Sequence, residues 1–201
     1  METVNFIFYC LICILARLGL LFWHPVFRVT GRKNIPEGPA VICCNHSGLA
    51  DPAWLILGLR QKKMLRIMAK ESLMHVPVLK YLFRWLRLIG VRRGENDVAA
   101  VKTAMKTLRD GGKLLIFPEG TRVSGERRIE GKTGAVMFAS RADCPILPIF
   151  LTWKRRPFSV IRMVIGEPYR PGYAGAKPTA EDLRRLTDDL MDRIYALGED
   201  V

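Results

Sequence analysis

Histidines, acidic residues and paired cysteines are scarce in this sequence, and each shortage argues against a class of site. The 201 residues include three histidines and 19 acidic residues, against 32 lysines and arginines. Only two of the five cysteines, Cys10 and Cys13, form a C-x-x-C unit, whereas a structural zinc site uses two such pairs or added histidines. We therefore expect no metal site and no structural disulfide, as in proteins of a reducing compartment.

The chain also has no internal repeat, no low-complexity segment and no composition shift that would mark a second domain. Hydrophobic residues make up 49% of the sequence and charged residues 25%, which is normal for a globular domain and too apolar for a disordered chain. A length of 201 residues is enough to bury one core. The sequence therefore predicts a single folded domain, with at most a short appendage.

Basic residues are concentrated in one part of the chain. The net charge is +13, and residues 52–94 contain ten basic residues and one acid, Glu71. A localised basic surface favours an anionic membrane, a phosphorylated ligand or nucleic acid as partner, with a solvated face as the simpler alternative. Nucleic acid is disfavoured because the aromatic residues lie in apolar runs and do not alternate with the arginines.

Residues 6–23 form a strongly apolar run that contains one charge, Arg17. A signal peptide is disfavoured because the acid Glu2 stands where a basic start is expected. A spanning helix needs about 20 apolar residues, whereas a helix lying in the membrane surface accommodates Arg17 more easily. We interpret residues 1–25 as a membrane-anchoring segment, with a core helix as the alternative, and residues 26–201 as the domain. The protein is then expected to be peripheral or monotopic on the cytoplasmic face of the cell membrane.

Short apolar runs alternate with helical patterns through the rest of the chain. Residues 40–45 and 146–153 are typical of buried strands, and residues 95–112 and 179–197 are typical of helices. This alternation predicts an α/β domain with a largely parallel or mixed central sheet flanked by helices.

A further helix is predicted over residues 75–90. Lys80, Arg84 and Arg87 share one of its faces, and apolar residues share another. An apolar face beside a basic face suits a membrane surface, and it equally suits a helix that packs on a sheet.

Three predicted strands end in polar turns, and such ends meet at one edge of a parallel sheet, where α/β proteins bind ligands. In the first turn, His46 can take a proton near neutral pH, and Asp51 can hold its ring and stabilise the imidazolium. Asp51 also suits the N-cap of the helix that follows. Ser47 adjoins His46 and would have poor geometry as a nucleophile, so a hydroxyl of the substrate is the favoured attacking group.

The other two turns contain cations that suit an anionic substrate. Arg93 ends the second turn, Arg122 ends the third, and Lys132 follows the third along the chain. Gly120 allows the backbone to approach a ligand closely. Glu119, amid these cations, is expected to pair with an arginine or with backbone. The alternative for residues 117–122 is an ordinary tight turn with a surface salt bridge.

Four blocks occur together in this chain, in the order NHSGLAD, GVRRG, FPEGTR and ILPI. In this order and spacing, in a basic chain with an apolar start, they resemble the glycerolipid acyltransferase family, in particular its bacterial 1-acyl-glycerol-3-phosphate acyltransferases. The resemblance extends from about Val29 to Trp153 and includes MAKESL, which contains Lys70.

The resemblance implies a role for each block. His46 would be the general base and Asp51 its charge partner. Arg93 would bind the glycerol phosphate, Lys70 would be a further phosphate ligand, and Pro148 would belong to the acyl-donor side. The block of four residues linked to the phosphate-bearing acceptor consists of Glu119, Gly120, Thr121 and Arg122.

The implied reaction transfers a fatty acyl group from acyl-CoA or acyl-carrier protein to the free hydroxyl of a lysophosphatidic acid. This would give phosphatidic acid for phospholipid synthesis, without metal or prosthetic group, and backbone amides near the blocks would stabilise the oxyanion. Two departures, the small residues 47–50 and Val123 in place of the usual serine, concern acceptor preference. The alternatives are another acceptor, such as a lyso-ornithine lipid or glycerol 3-phosphate, or a non-catalytic protein that binds anionic lipid.

Overall fold

The computed structural model describes residues 14–15, 18–19, 22–60, 65–72, 88–92, 97–123, 128–153 and 158–199. Within these ranges a seven-stranded mixed sheet is flanked by four α-helices. The strands are β1 (Phe27–Thr30), β2 (Ala40–Cys44), β3 (Arg66–Lys70), β4 (Ile89–Val91), β5 (Lys113–Ile116), β6 (Ile146–Leu151) and β7 (Ile161–Ile165). The helices are α1 (Asp51–Leu59), α2 (Val98–Arg109), α3 (Gly134–Ala142) and α4 (Ala180–Ala196), with a short 3-10 helix at Arg32–Asn34. The predicted α/β class and mixed sheet are confirmed.

The order of strands across the sheet is β1-β7-β6-β2-β5-β3-β4. The five strands from β6 to β4 in this order are parallel to one another. Strand β7 runs antiparallel to β6, and β1 runs parallel to β7. The carboxyl ends of β2 to β6 therefore lie at one edge of the sheet, called here the carboxyl edge, together with the amino ends of β1 and β7.

The core lies on both faces of the sheet because its central strands are apolar on both sides. All five residues of β2 and all six of β6 are buried, as in parallel sheets covered by helices. Helix α1 packs Trp54 and Leu55 on one face, while α2, α3 and α4 cover the other. Among the described residues, Cys43, Cys44 and Cys144 are buried and form no disulfide.

Helix ends follow local hydrogen-bonding chemistry. Asp97 caps α2 by accepting the N–H of Ala100 at 3.0 Å. Thr179 and Asp182 form a reciprocal capping box at the start of α4. Helix α1 differs from expectation, because Ala50 is its N-cap and Asp51 is its first residue. The carboxylate of Asp51 turns back to the preceding loop, as described below, and so does not cap its own helix.

Several predicted features lie outside the described residues. They include most of the N-terminal segment 1–25, the helix with Lys80, Arg84 and Arg87, and Arg93. In the part of the chain that is described, no helix is long and apolar enough to cross a membrane. The anchoring segment, and the boundary placed at residue 25, stay predictions.

Gly31 lies at the turn after β1, where the backbone packs closely against Ile165 of β7. Its φ is +75°, and a Cβ there would lie 2.0 Å from the carbonyl oxygen of Ile165. We expect Gly31→Ala to lower the free energy of unfolding by at least about 2 kcal/mol, through left-handed strain and a clash with backbone. Urea denaturation measures this change. Gly38→Ala is the matched control, since its Cβ would meet no atom within 4 Å, and an equal loss in both variants would contradict the account.

Candidate active site

Asn45 directly follows β2 and starts the loop that contains His46. Its side chain is 1% exposed and bonds twice to Leu151 of β6. Nδ2 donates to the Leu151 carbonyl at 2.8 Å, and Oδ1 accepts the Leu151 N–H at 2.8 Å. The side-chain amide thus continues the β2–β6 pairing in place of backbone. This leaves the main chain free to turn out at the carboxyl edge.

His46 and Asp51 lie in direct contact at this edge. His46 Nδ1 is 2.8 Å from Asp51 Oδ2, and Asp51 is completely buried. Because an ionised carboxylate only accepts hydrogen bonds, Nδ1 holds the proton and Nε2 of the neutral ring is the basic nitrogen. The His46 side chain is 18% exposed, so the ring is reachable from solvent.

Asp51 also accepts two backbone N–H groups of the loop. Oδ2 accepts from Ser47 at 2.7 Å and from Gly48 at 2.9 Å. The loop is therefore wrapped around the carboxylate that holds the imidazole. These amides are committed to Asp51, so they do not serve as the oxyanion donors expected near the blocks.

Phe117 holds the His46 ring from another side. The two rings stack with centroids 4.1 Å apart and planes inclined by 20°. Phe117 directly follows β5, the neighbour of β2 in the sheet. With Asp51 at one nitrogen and Phe117 against one face, the imidazole has little rotational freedom.

Glu119 lies beneath the loop and fixes its backbone. The side chain is 2% exposed, and Oε2 accepts the His46 N–H at 2.8 Å. Oε1 accepts the hydroxyl of Tyr195, from α4, also at 2.8 Å. Burial raises the pKa of the Glu119 carboxyl, and the bonds from Tyr195 and His46 oppose that rise. Glu119, expected among the substrate-binding residues, thus has both oxygens occupied by protein groups.

The turn after Glu119 is closed by backbone bonds. Gly120, at φ +67°, donates its N–H to the Phe117 carbonyl at 3.0 Å. The Val123 N–H donates to the His46 carbonyl at 2.8 Å, so both backbone groups of His46 are bound by this turn. The Lys132 N–H reaches Pro118 O at 2.7 Å, which brings Lys132 to the same place.

Exposed cations and a hydroxyl lie on or beside this turn. Thr121, Arg122 and Lys132 are exposed, on or beside the turn that holds His46. Lys70 is the exposed last residue of β3, at the carboxyl edge but two strands away from β2. Arg92, at the end of β4, pairs its Nε with Glu71 at 3.2 Å.

Pro148, from the fourth block, lies within the buried strand β6, level with Cys43 of β2.

Asn45, Phe117 and Tyr195 were not predicted as site residues. Asn45 and Phe117 are the first residues of the blocks NHSGLAD and FPEGTR, whereas Tyr195 is 76 residues away from Glu119 and no sequence pattern connects the two.

The arrangement can remove a proton from a bound hydroxyl next to a group of cations. A neutral imidazole oriented by a buried carboxylate is suited to general-base catalysis. The nearby guanidinium and ammonium groups suit a phosphate or a carboxylate. Over the described ranges, no cluster of three His, Cys, Asp or Glu residues could hold a metal ion.

Comparisons with known proteins agree on one family. The model of the Acyltransferase family matches residues 26–152, more than half of the chain. A 1-acyl-sn-glycerol-3-phosphate acyltransferase of Bacillus subtilis is 28% identical over 176 residues, covering 85% of this chain and 87% of its own length. The same-named protein of Borreliella burgdorferi is 35% identical over 126 residues, but this chain spans only 50% of that protein.

A solved structure has the same fold. It is the crystal structure of the 1-acyl-sn-glycerophosphate (LPA) acyltransferase, PlsC, from Thermotoga maritima. The TM-score is 0.74 at 24% identity, with 98% of this chain and 81% of that chain covered. At this identity the likeness shows the fold alone.

The three donors on Asp51 make a stability prediction. Asp51→Ala removes a buried acceptor shared by His46, Ser47 and Gly48. We expect the free energy of unfolding to fall by about 2–4 kcal/mol in urea denaturation. Asp110→Ala is the control, because the Asp110 side chain is exposed where it pairs with Lys106, and its loss should cost less than about 1 kcal/mol. Equal losses would show that the loop does not depend on Asp51.

Proposed function

This chain belongs to the acyltransferase family, and we propose on that premise that it acylates the free hydroxyl of a 1-acyl-glycerol-3-phosphate. The product would be phosphatidic acid, and the donor an acyl thioester of coenzyme A or acyl-carrier protein. The single observation that supports this most is the His46–Asp51 contact of 2.8 Å, beside the exposed cations Arg122 and Lys132. His46 would activate the acceptor hydroxyl, and the cations would bind the acceptor phosphate.

His46 acts first as base and then as acid in the proposed reaction. Nε2 takes the proton of the acceptor hydroxyl, and the oxygen attacks the thioester carbonyl carbon. The tetrahedral intermediate then loses the C–S bond, and the leaving thiolate takes the proton back from His46. Asp51 stabilises the imidazolium between the two steps. The new ester and the free thiol account for all atoms, and the reaction needs no metal or prosthetic group.

The cations would bind the phosphate of the acceptor. Arg122 precedes Val123, whose N–H donates to the His46 carbonyl, and the Lys132 N–H donates to the Pro118 carbonyl of the same turn. Lys70, the last residue of β3, and Arg93, which follows β4 in the sequence, are proposed as further phosphate ligands. Gly120 and Thr121 would contact the acceptor through backbone and hydroxyl, because Gly120 is half-buried and Thr121 is exposed.

The carboxyl edge also suits a membrane surface. Six exposed large apolar side chains lie there, called here the apolar rim: Phe22, Trp23, Val26, Leu49, Val98 and Phe158. Their places follow from the topology, since each lies within five residues of the start of β1 or β7 or of the end of β2, or at the start of α2. We propose that the rim, with the segment 1–25, holds the protein on the cytoplasmic face of the cell membrane, where the acceptor resides.

The role of His46 is tested with purified full-length protein. We expect His46→Ala to lower kcat/KM by about 10²–10⁴-fold, because proton removal from the hydroxyl is lost. Binding to anionic vesicles should be unchanged. Ser47→Ala is the matched control and should keep activity within about threefold, because the attacking oxygen belongs to the substrate. Full activity in His46→Ala would refute the mechanism, and an inactive Ser47→Ala would indicate an acyl-enzyme at Ser47.

The same assay identifies the substrates. Lysophosphatidic acid, glycerol 3-phosphate and lyso-ornithine lipid are compared as acceptors, with acyl-CoA and acyl-carrier protein as donors. We expect lysophosphatidic acid to give the highest kcat/KM. Preference for another acceptor would keep the chemistry and change the substrate, whereas turnover of none would favour a non-catalytic lipid-binding protein.

The apolar rim is tested by vesicle binding. The double variant Phe22→Ser/Phe158→Asn removes two side chains that are 77% and 70% exposed, and Asn tolerates the φ of +64° at residue 158. We expect vesicle affinity to fall at least about tenfold in sedimentation assays, since burying one aromatic contributes about 1.5–3 kcal/mol. Lys106→Ser, at an exposed position of helix α2, is the surface control. Unchanged affinity in the double variant would show that the rim does not enter the bilayer.

A further inference from the structure

Tyr195 connects the C-terminal helix to the loop of His46. Its hydroxyl donates to Glu119 Oε1 at 2.8 Å, and Glu119 Oε2 accepts the His46 N–H at 2.8 Å. The contact therefore spans three distant parts of the chain, the end of β2, the turn after β5 and the end of α4. Residue 195 lies beyond the segment 26–152 that the family model matches.

The Tyr195 ring is held in place by contacts that are independent of its hydroxyl. It stacks on Trp153 with centroids 5.5 Å apart and planes inclined by 13°. The Arg128 guanidinium lies over the ring, 5.2 Å from its centroid, and Arg128 also pairs with Asp192 of α4. These contacts do not involve the hydroxyl, so the ring can stay in place when the hydroxyl is removed.

The hydroxyl has a specific effect on Glu119. Burial favours the protonated acid, whereas donors to its oxygens favour the carboxylate. Only two donors to Glu119 are found among the described residues, the Tyr195 hydroxyl and the His46 N–H. Loss of the first would raise the pKa of Glu119 further. A protonated carboxyl accepts the His46 N–H more weakly than a carboxylate does.

A buried tyrosine hydroxyl in this fold does not always find a partner. The hydroxyl of Tyr169 is buried and has no hydrogen-bond partner in the described part of the chain, although Arg193 of α4 lies over its ring at 4.2 Å. A tyrosine can therefore pack against α4 without a hydrogen bond from its hydroxyl. Packing alone does not explain the hydrogen bond between Tyr195 and Glu119.

We propose that Tyr195 is a positioning residue for the reaction, which acts through Glu119 to hold the backbone of His46 where its ring meets the substrate hydroxyl. Helix α4 is then part of the catalytic apparatus, and Glu119 acts from below the loop without contacting the acceptor. The inference rests on the proposed function, because its kinetic readouts are those of acyl transfer.

Tyr195→Phe tests this inference, since it removes one oxygen and keeps the ring. We expect kcat to fall about tenfold while the KM for the acceptor changes less than about twofold, because the base is displaced and the phosphate ligands are intact. The acid limb of the kcat/KM profile should move to higher pH, because Glu119 becomes protonated at a higher pH than in the native protein. Tyr169→Phe is the matched control and should change neither quantity.

The variant Glu119→Gln provides a second, independent measurement. It keeps an oxygen acceptor for the His46 N–H but abolishes the titration. In Glu119→Gln the further change Tyr195→Phe should cost less than about twofold in kcat, since the two residues act in series. Additive losses in the double variant, or a Tyr195→Phe enzyme with unchanged kcat and acid limb, would overturn the inference.

A readout without substrate separates this inference from the proposed function. The carboxyl carbon of Glu119, labelled with ¹³C, is titrated by NMR in the native protein and in Tyr195→Phe. A shift to higher pH in the variant, with a native protein that acylates no acceptor, would refute the proposed function and keep the Tyr195–Glu119 link. Acyl transfer by the native protein, without any shift in the variant, would refute the role of Tyr195 alone.

Discussion

Two buried carboxylates determine the conformation of the loop that follows β2. Asp51 accepts the N–H groups of Ser47 and Gly48, and Glu119 accepts that of His46. A carboxylate is costly to bury unless hydrogen-bond donors surround it, so the loop and the carboxylates require each other. Once the backbone of His46 is held in this way, one hydrogen bond to Asp51 and one stacked ring are enough to orient the imidazole.

The strand order explains why polar and apolar groups meet at one edge. Parallel strands bring the residues after β2, β3, β4 and β5 to the carboxyl edge, where the cations and the imidazole lie. The reversal between β6 and β7 brings the amino ends of β7 and β1 to that edge as well. Trp23 and Phe158, which are joined by a backbone bond of 2.8 Å, arrive there for this reason. A single change of strand direction thus places apolar side chains beside a charged site.

The local parts of the site could be predicted from the sequence, and the long-range parts could not. His46 and Asp51 are five residues apart on either side of a strand-to-helix turn, so their contact follows from local geometry. The buried runs likewise predicted an α/β fold. Glu119 was expected beside an arginine or backbone near the substrate, but its burial depends on packing against α4, which no periodicity reveals. Tyr195 was missed for the same reason, since its partner is set only when α4 docks on the sheet.

The two hydrogen bonds of Asn45 restrict which amino acid can occupy position 45. Its side-chain amide takes the place of a main-chain amide. The single methylene of the side chain brings one donor and one acceptor within hydrogen-bonding distance of Leu151. Aspartate would lose the donor, serine would be too short for both bonds, and glutamine would carry the amide past its partner. Of the twenty amino acids, asparagine alone provides this chemistry at this length. The residue next to the imidazole is therefore constrained by strand pairing, independently of any substrate.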